Sequence, residues 1–367
     1  MKPLLVQRYL ECRLEQSVRV ISCEHHFPGV SRETWFVRCK VGKLDAERCF
    51  TLRRDPEGGA IVPTTLAQEW EIYSRLATTP VPVATPLWYE TDPHWLQDER
   101  AFFVRDFVDG TTHVSNLTNP DQRYDSLREG VAKQHAEKLA LLHTLSWKEH
   151  GFDQVLPVPS SPADSARLEI ELWWGRWDEI RGPATPLITE LFYWLRDRLP
   201  TCSPRISLCK GNNGLGEEIW RDGELVAFSD FELAALSSPA QDWGNCQGVL
   251  ALWDRERTLQ HYERSAGYRL DRAELTFWQV WGVLKGICCM SAGLRRFVEG
   301  ADQRPVIVAG FGRTKLLDPL LAALISGELS DADATLARFD AQRLGHPAHV
   351  GFKAAVHPQR RSMVRDA

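Results

Sequence analysis

The chain has 367 residues, 43% of them hydrophobic and 25% charged, which is enough apolar material for a sizeable core divided between two or three packed lobes. A formal net charge of -5 and a pI of about 6.1 exclude the global basic field of a nucleic-acid binder, and no run of about 18 apolar residues is present to span a membrane. The nine cysteines are odd in number and scattered, with no CxxC pair and no Cys/His zinc spacing, and MKPLLVQRYLECRLEQ lacks the apolar stretch of a signal peptide, so the chain reads as soluble and cytoplasmic with reduced thiols.

In chain order, residues 1–17 read as a leading helix. VRVISCEHHF, ETWFVRCKV and ERCFTLRRD then read as antiparallel strands, punctuated at Pro28-Gly29 and at Val41-Gly42-Lys43. After a loop at 55–63, Thr65 with Gln68 three residues on predicts a helix start, with the helix running to Leu76. PLWYE and AFFVRDFVDGT read as two further strands, the second ending at Gly110. Beyond a linker near 107–115, long amphipathic helices are expected at about 121–147, 164–181, 185–197, 247–265, 271–298 and 315–327. A strand-like segment, 204–236, interrupts them, and the tail HPQRRSMVRDA is polar and basic. The expected organisation is a β-rich N-terminal lobe, residues 1–107, followed by a helical lobe, residues 108–367.

The chain holds fourteen tryptophans, many of them in ELWWGRW, FYWL and FWQVWG. Spacing of three to four residues favours a buried helix face over a ligand pocket. Cys288 and Cys289 lie in an apolar helical pattern and read as buried thiols.

Three groups of residues carry chemistry. Arg53, on the strand FTLRR, offers a cation that Glu69 of the following helix could hold in place. The hydrophobic strand Leu225–Phe228 ends in Ser229-Asp230-Phe231-Glu232, and a carboxylate just past a buried strand is a common magnesium ligand. The loop Lys210-Gly211-Asn212-Asn213-Gly214-Leu215-Gly216 is so rich in glycine and asparagine that it demands positive backbone dihedrals or close backbone approach. Taken singly, Arg53 suits a surface ion pair and the loop a plain turn equally well, and Asp230 alone is better read as a turn cap. Their spacing adds information: Asn212 precedes Asp230 by 18 residues, Glu217 precedes it by 13, and Asp242 follows it by 12.

With that spacing the segment resembles the aminoglycoside phosphotransferase and choline kinase group. That group's pattern is a His-Gly-Asp loop, an Asn five residues on, a strand ending Ile-Asp-Phe, and a Gly-Asp-Pro-Ala segment with Asp-Leu-Ala behind it. Lys210-Gly211-Asn212, Glu217, Ser229-Asp230-Phe231 and Ser238-Pro239-Ala240-Gln241-Asp242-Trp243 fall in those positions without a gap. The resemblance extends upstream to the phosphate-covering turn Pro28–Trp35 with Ser31, to Leu52-Arg53-Arg54, and to Gln68-Glu69-Trp70. It also covers the hinge Phe103–Gly110, which includes Arg105 and Phe107, and the helix ending Leu142-His143.

The resemblance implies an α+β, protein-kinase-like bilobal fold and ATP (or GTP) with Mg2+ as cofactors. It further implies a small-molecule hydroxyl substrate, with neither nucleic acid nor membrane as partner. By the same resemblance, Arg53, Glu69, Ser31, Arg105 and Phe107 meet the nucleotide, and Asp230 and Glu217 hold the metal. Asn212, Asp230 and Lys210 form the catalytic set. The departures matter. Asn212 stands where the catalytic aspartate is expected, and an amide orients a hydroxyl without taking its proton. Glu217 replaces an asparagine and adds charge. Lys210 replaces the loop-bracing histidine and brings a cation towards the phosphates. Glu218 is a second candidate base, although a strand would point it away from Glu217. Two functions follow: a phosphotransferase with a weakened base, or a nucleotide-binding pseudokinase that scaffolds. A third, transfer of adenylate on the same fold, has no feature that demands it.

Overall fold

The computed structural model describes residues 1–26, 29, 31–180, 185–304 and 308. The helix expected at 315–327, the basic tail, and Pro28 and Val30 of the N-terminal turn lie outside the described residues.

Helix α1 (Pro3–Leu14) precedes strands β1 (Val18–His25), β2 (Glu33–Val41) and β3 (Ala46–Arg54). Helix α2 (Leu66–Leu76) and strands β4 (Pro86–Glu90) and β5 (Phe102–Asp106) complete an antiparallel sheet of order β1-β2-β3-β5-β4. Strand alternation sorts the sheet's two faces. Phe50, Leu52, Phe102 and Val104 join Tyr9 and Leu10 of α1 in one core. Thr51, Arg53, Phe103 and Arg105 occupy the opposite face, towards α2. On α2, Thr65 accepts a hydrogen bond from the Gln68 amide at 3.1 Å, and the spacing of Glu69, Ile72, Tyr73 and Leu76 makes one buried stripe.

The helical lobe contains α3 (Asp125–Thr144), α4 (Pro162–Ile180), α5 (Pro186–Arg196), α6 (Ala240–Asn245), α7 (Gln247–Leu250), α8 (Arg255–Ala266) and α9 (Arg272–Val298). Two ribbons sit within it. Strand β6 (Ser207–Cys209) pairs with β9 (Ala235–Ser237), and β7 (Glu218–Arg221) with β8 (Glu224–Phe228), both antiparallel. Trp173, Trp278 and Trp281 are core residues, as their spacing predicts, and Trp243 joins them. Cys288 and Cys289 are buried, and all nine cysteines are free thiols.

Three expectations need correction. The strand expected to run to Gly110 stops at Asp106. The helix expected over 247–265 is two helices, because Asp254 caps a fresh start by accepting the Arg257 amide at 2.8 Å. The helix expected over 121–147 begins as a single 3-10 turn and is α-helical only from Asp125 to Thr144. The linker itself docks on β7: Thr111 and Trp220 exchange backbone hydrogen bonds at 2.8 Å each way. Gly110 permits this approach, since a Cβ there would stand 2.6 Å from the Trp220 carbonyl oxygen.

Candidate active site

The loop after β6 is fastened from below. The β6–β9 pairing carries Asp242 of α6 beneath it, where Oδ2 accepts the Lys210 amide at 2.6 Å and Oδ1 the Gly211 amide at 2.8 Å. His143 Nε2 lies 3.0 Å from Asp242 Oδ2, and His143 Nδ1 lies 2.7 Å from the Tyr262 hydroxyl. Burial pushes the Asp242 carboxyl up, but its hydrogen bond to His143, that residue's charge and the two amides outweigh burial and hold it below the usual carboxylate range. Gly211 has φ of 76°, and a Cβ there would fall 1.7 Å from the Leu233 carbonyl oxygen, so no other residue fits. Lys285 of α9 donates to the Gly211 carbonyl.

Lys210 is fully buried. Its ammonium donates to the Asn212 carbonyl and, at 3.4 Å, to the Asp230 carbonyl. It braces the loop, and its donors are directed at backbone oxygens on either side of the cleft.

The β7–β8 hairpin sets the opposite wall. The Ser229 amide donates to the Glu217 carbonyl at 2.9 Å, which places Glu217 beside Asp230. Burial, then the Asp230 charge, push the Glu217 carboxyl up to about 8. Glu218 turns the other way, towards His135 Nδ1 at 2.7 Å, as strand alternation requires. Asp230 sits in the left-handed region at φ of 66°, a conformation that aspartate tolerates better than most residues. Its amide donates to the Tyr73 hydroxyl at 3.1 Å. Its Oδ1 accepts from Arg53 Nη2 at 2.6 Å, and its Oδ2 from Asn212 Nδ2 at 2.5 Å. Burial pushes the Asp230 carboxyl up, but Arg53, Lys210 and the Asn212 amide prevail and lower it.

Arg53 is the junction between the lobes. Its Nε lies 2.8 Å from Glu69 Oε1, so the strand–helix ion pair forms, and Nη2 also reaches Glu232 Oε2 at 3.0 Å. Arg32 has a fully buried side chain and bridges Glu69 and Glu232 through Nη1 at 3.1 and 3.0 Å, with Asp55 on Nε at 2.7 Å. Ser31 donates to Glu232 Oε1 at 2.5 Å. Burial and the Asp230 charge push the Glu232 carboxyl up to about 7. Arg32 and Glu232 went unassigned in the sequence. The available signal was adjacency: each flanks a residue or motif already singled out, Ser31 and Ser229-Asp230-Phe231.

At the hinge, the Phe107 amide donates to the Cys49 carbonyl at 3.4 Å, and its ring meets Phe36 edge-on, with centroids 5.3 Å apart. Arg105 is buried, with its guanidinium 4.8 Å from the centre of the Tyr73 ring. The structure thus brings Arg53, Glu69, Ser31, Lys210, Asn212, Glu217 and Asp230 into one cleft, with Arg105 on its inner wall and Phe107 at its edge. Cys209 is a buried thiol bonded to the Ser238 carbonyl. Among the described residues, one trio of potential metal ligands converges within 4.8 Å: His143, Cys209 and Asp242. Asp242 in that trio is already filled by its amide and imidazole partners.

A two-lobed arrangement with a cation, a helix carboxylate and a post-strand aspartate at the junction defines a protein-kinase-like phosphotransferase. Residues 27–278 match the model of the phosphotransferase enzyme family (APH), and the chain belongs to that family. Among solved structures, a Ralstonia eutropha JMP134 protein provisionally described as an aminoglycoside phosphotransferase is 16% identical, with a TM-score of 0.65, over 89% of this chain and 98% of that one. A thermostable mutant of aminoglycoside phosphotransferase APH(4)-Ia, solved with ADP and hygromycin B, is 14% identical with a TM-score of 0.56, over 86% of this chain and 98% of that one. Macrolide 2'-phosphotransferase MphH from Brachybacterium faecium is 15% identical with a TM-score of 0.52, over 85% and 96% respectively. No curated protein matches the sequence. The fold is therefore α+β, bilobal and protein-kinase-like. No helix among the described residues is long and apolar enough to cross a membrane.

Proposed function

We propose that the protein transfers the terminal phosphoryl group of ATP or GTP to a hydroxyl of a small molecule, with Asn212 in place of the usual base. One observation carries this reading: Arg53, Glu69, Asp230 and Asn212, drawn from both lobes and separated by up to 177 residues, form one continuous chain of ion pairs closed by a hydrogen bond. The division into a nucleotide-holding lobe, residues 1–107, and an acceptor lobe, residues 108–367, belongs to the same proposal. It is supported by the docking of Thr111 on Trp220 just past the last sheet strand.

In this reading Arg53 holds the phosphates, and Glu69 keeps it in position. Asp230 and Glu217 hold magnesium. The donor set fits such an ion, because Glu69, Glu217, Asp230 and Glu232 gather around Arg32 and Arg53, with the Lys210 ammonium seated on backbone carbonyls nearby. Burial first, and then the neighbouring Asp230 charge, raise the Glu217 and Glu232 carboxyls. A bound magnesium ion supplies charge stabilisation at the phosphates. Asn212 Oδ1 is left to accept from, and so orient, an acceptor hydroxyl, since Nδ2 is committed to Asp230. Most of phosphoryl transfer is positioning and electrostatics, so loss of the base lowers the rate by roughly 100- to 10,000-fold without abolishing it. Hygromycin B in the APH(4)-Ia complexes is a small-molecule hydroxyl acceptor of the relevant class.

The competing reading is a nucleotide-binding pseudokinase. It is favoured by the same Asn212–Asp230 bond, which turns a base position into a structural donor. Magnesium-dependent consumption of ATP and GTP, followed with a panel of hydroxyl acceptors that includes hygromycin B and a macrolide, tests the proposal. Product formation that Asp230→Ala abolishes supports transfer. Nucleotide binding with no turnover on any acceptor supports the pseudokinase.

A further inference from the structure

The last turns of α4 and α9 enclose a pocket of about 180 Å³ that shares no residue with the cleft. Its charged lining is Arg176 and Glu179 of α4, Arg295 and Arg296 of α9, and Glu299 just beyond. Both glutamates are already occupied. Arg176 donates to Glu179 Oε2 at 2.9 Å and to the Ile61 carbonyl at 3.1 Å. Arg295 donates to Glu299 Oε1 at 2.7 Å and to the Ile180 carbonyl at 2.8 Å, an ordinary role for a basic side chain at a helix C-terminus.

Arg296 differs from both. Its side chain donates through Nη1 to the Gly59 carbonyl, and no carboxylate among the described residues lies within ion-pairing distance of it. Burial first, and then the Arg176 charge, lower the Arg296 guanidinium from its ordinary value. Its Nε and Nη2 share one edge of the guanidinium, make no hydrogen bond among the described residues, and belong to a half-buried residue that lines the pocket. Such an edge meets two oxygens of one oxyanion in parallel. Nη2 of Arg295 is unused as well, and a phosphate has an oxygen left for it that a carboxylate lacks. Arg176 Nε has no accessible surface, so Arg176 contributes charge rather than a contact.

We propose that this pocket binds a phosphate group, free or carried by an organic ligand, on the open edge of Arg296. The site is independent of the transfer reading and is tested without turnover.

Titration calorimetry with inorganic phosphate, against sodium chloride at matched ionic strength, is the test, and a Kd of about 0.1–5 mM is expected for the unaltered protein. Arg296→Met is expected to weaken phosphate about tenfold or more, and Arg296→Lys, which keeps the charge without the fork, about threefold or more. Arg167→Gln, at an exposed position of α4, is expected to bind phosphate as the unaltered protein does. Glycerol 3-phosphate and glycerol distinguish the source. An ester that binds more tightly than inorganic phosphate assigns the group to an organic ligand, and phosphate binding equally or more tightly assigns the site to the free ion. Absence of saturable phosphate binding up to about 20 mM overturns the inference. Affinity unchanged in both Arg296 variants also overturns it, and would place the anion elsewhere, at Arg53 in the cleft for example.

Discussion

Asn212 Nδ2 donates to Asp230 Oδ2 over 2.5 Å, while Arg53 Nη2 donates to Oδ1 of the same carboxylate at 2.6 Å. Both oxygens of Asp230 are thereby fixed, one from each lobe, and the amide at 212 is part of the clamp. An aspartate at 212 would set two carboxylates at hydrogen-bonding distance. Asn212→Asp should therefore lose roughly 1–3 kcal/mol of stability in EDTA. Excess magnesium should restore it by binding the folded state. Thermal melts with and without magnesium check this, and equal melting temperatures in EDTA for both proteins would count against the clamp.

Arg53 meets three carboxylates, and removing it leaves all three buried or half-buried without their shared cation. Arg53→Met should cost about 3–5 kcal/mol, the typical penalty for deleting one partner of a buried ion pair. Arg53→Lys, which keeps the charge but not the fork, should cost less. Urea denaturation of the two variants gives the comparison.

Gly211→Ala should be among the most damaging single-methyl changes in the chain. The new Cβ collides with the Leu233 carbonyl, and the positive φ is unfavourable for alanine. A loss of about 3 kcal/mol or more is expected, measurable by the same denaturation.

Asp242→Asn tests the floor of the loop and its pH dependence. The folded-state carboxyl is held below its ordinary value, so its contribution is complete above the unfolded value and disappears as pH falls through the lowered folded one. The variant should therefore be roughly 2–4 kcal/mol less stable at pH 7, and the gap should close as the pH falls through the lowered folded value. A gap that does not vary with pH would place the cause in packing rather than charge.

Much of this site was legible through the spacing that carries the family resemblance. Lys210, Asn212, Glu217, Asp230 and Asp242 lie on two short ribbons, one loop and the start of α6, whose connected local geometry keeps that spacing. Strand alternation likewise placed Arg53 on the cleft face and turned Glu218 away. The pairings across the cleft were not legible. Arg32 and Glu232 are 200 residues apart, and nothing local to either names the other. Lys210 was expected to direct its charge at phosphates, and its ammonium is instead seated on backbone carbonyls. Lys285 and Tyr73 carry no signal in the sequence, and the packing of α9 and α2 against the loop and the cleft gives them their polar partners. The split between α7 and α8 escaped because a helical pattern continues through residues 251–254, while the capping Asp254 acts at a single residue.

The most direct measurement is the rate of magnesium-dependent phosphoryl transfer, from ATP and from GTP, by the unaltered protein and by Asn212→Asp on the same acceptors. Slow transfer by the unaltered protein, a gain of roughly 100-fold or more in Asn212→Asp and none in Asp230→Ala is the predicted result. Nucleotide binding by both proteins with transfer by neither would contradict the account.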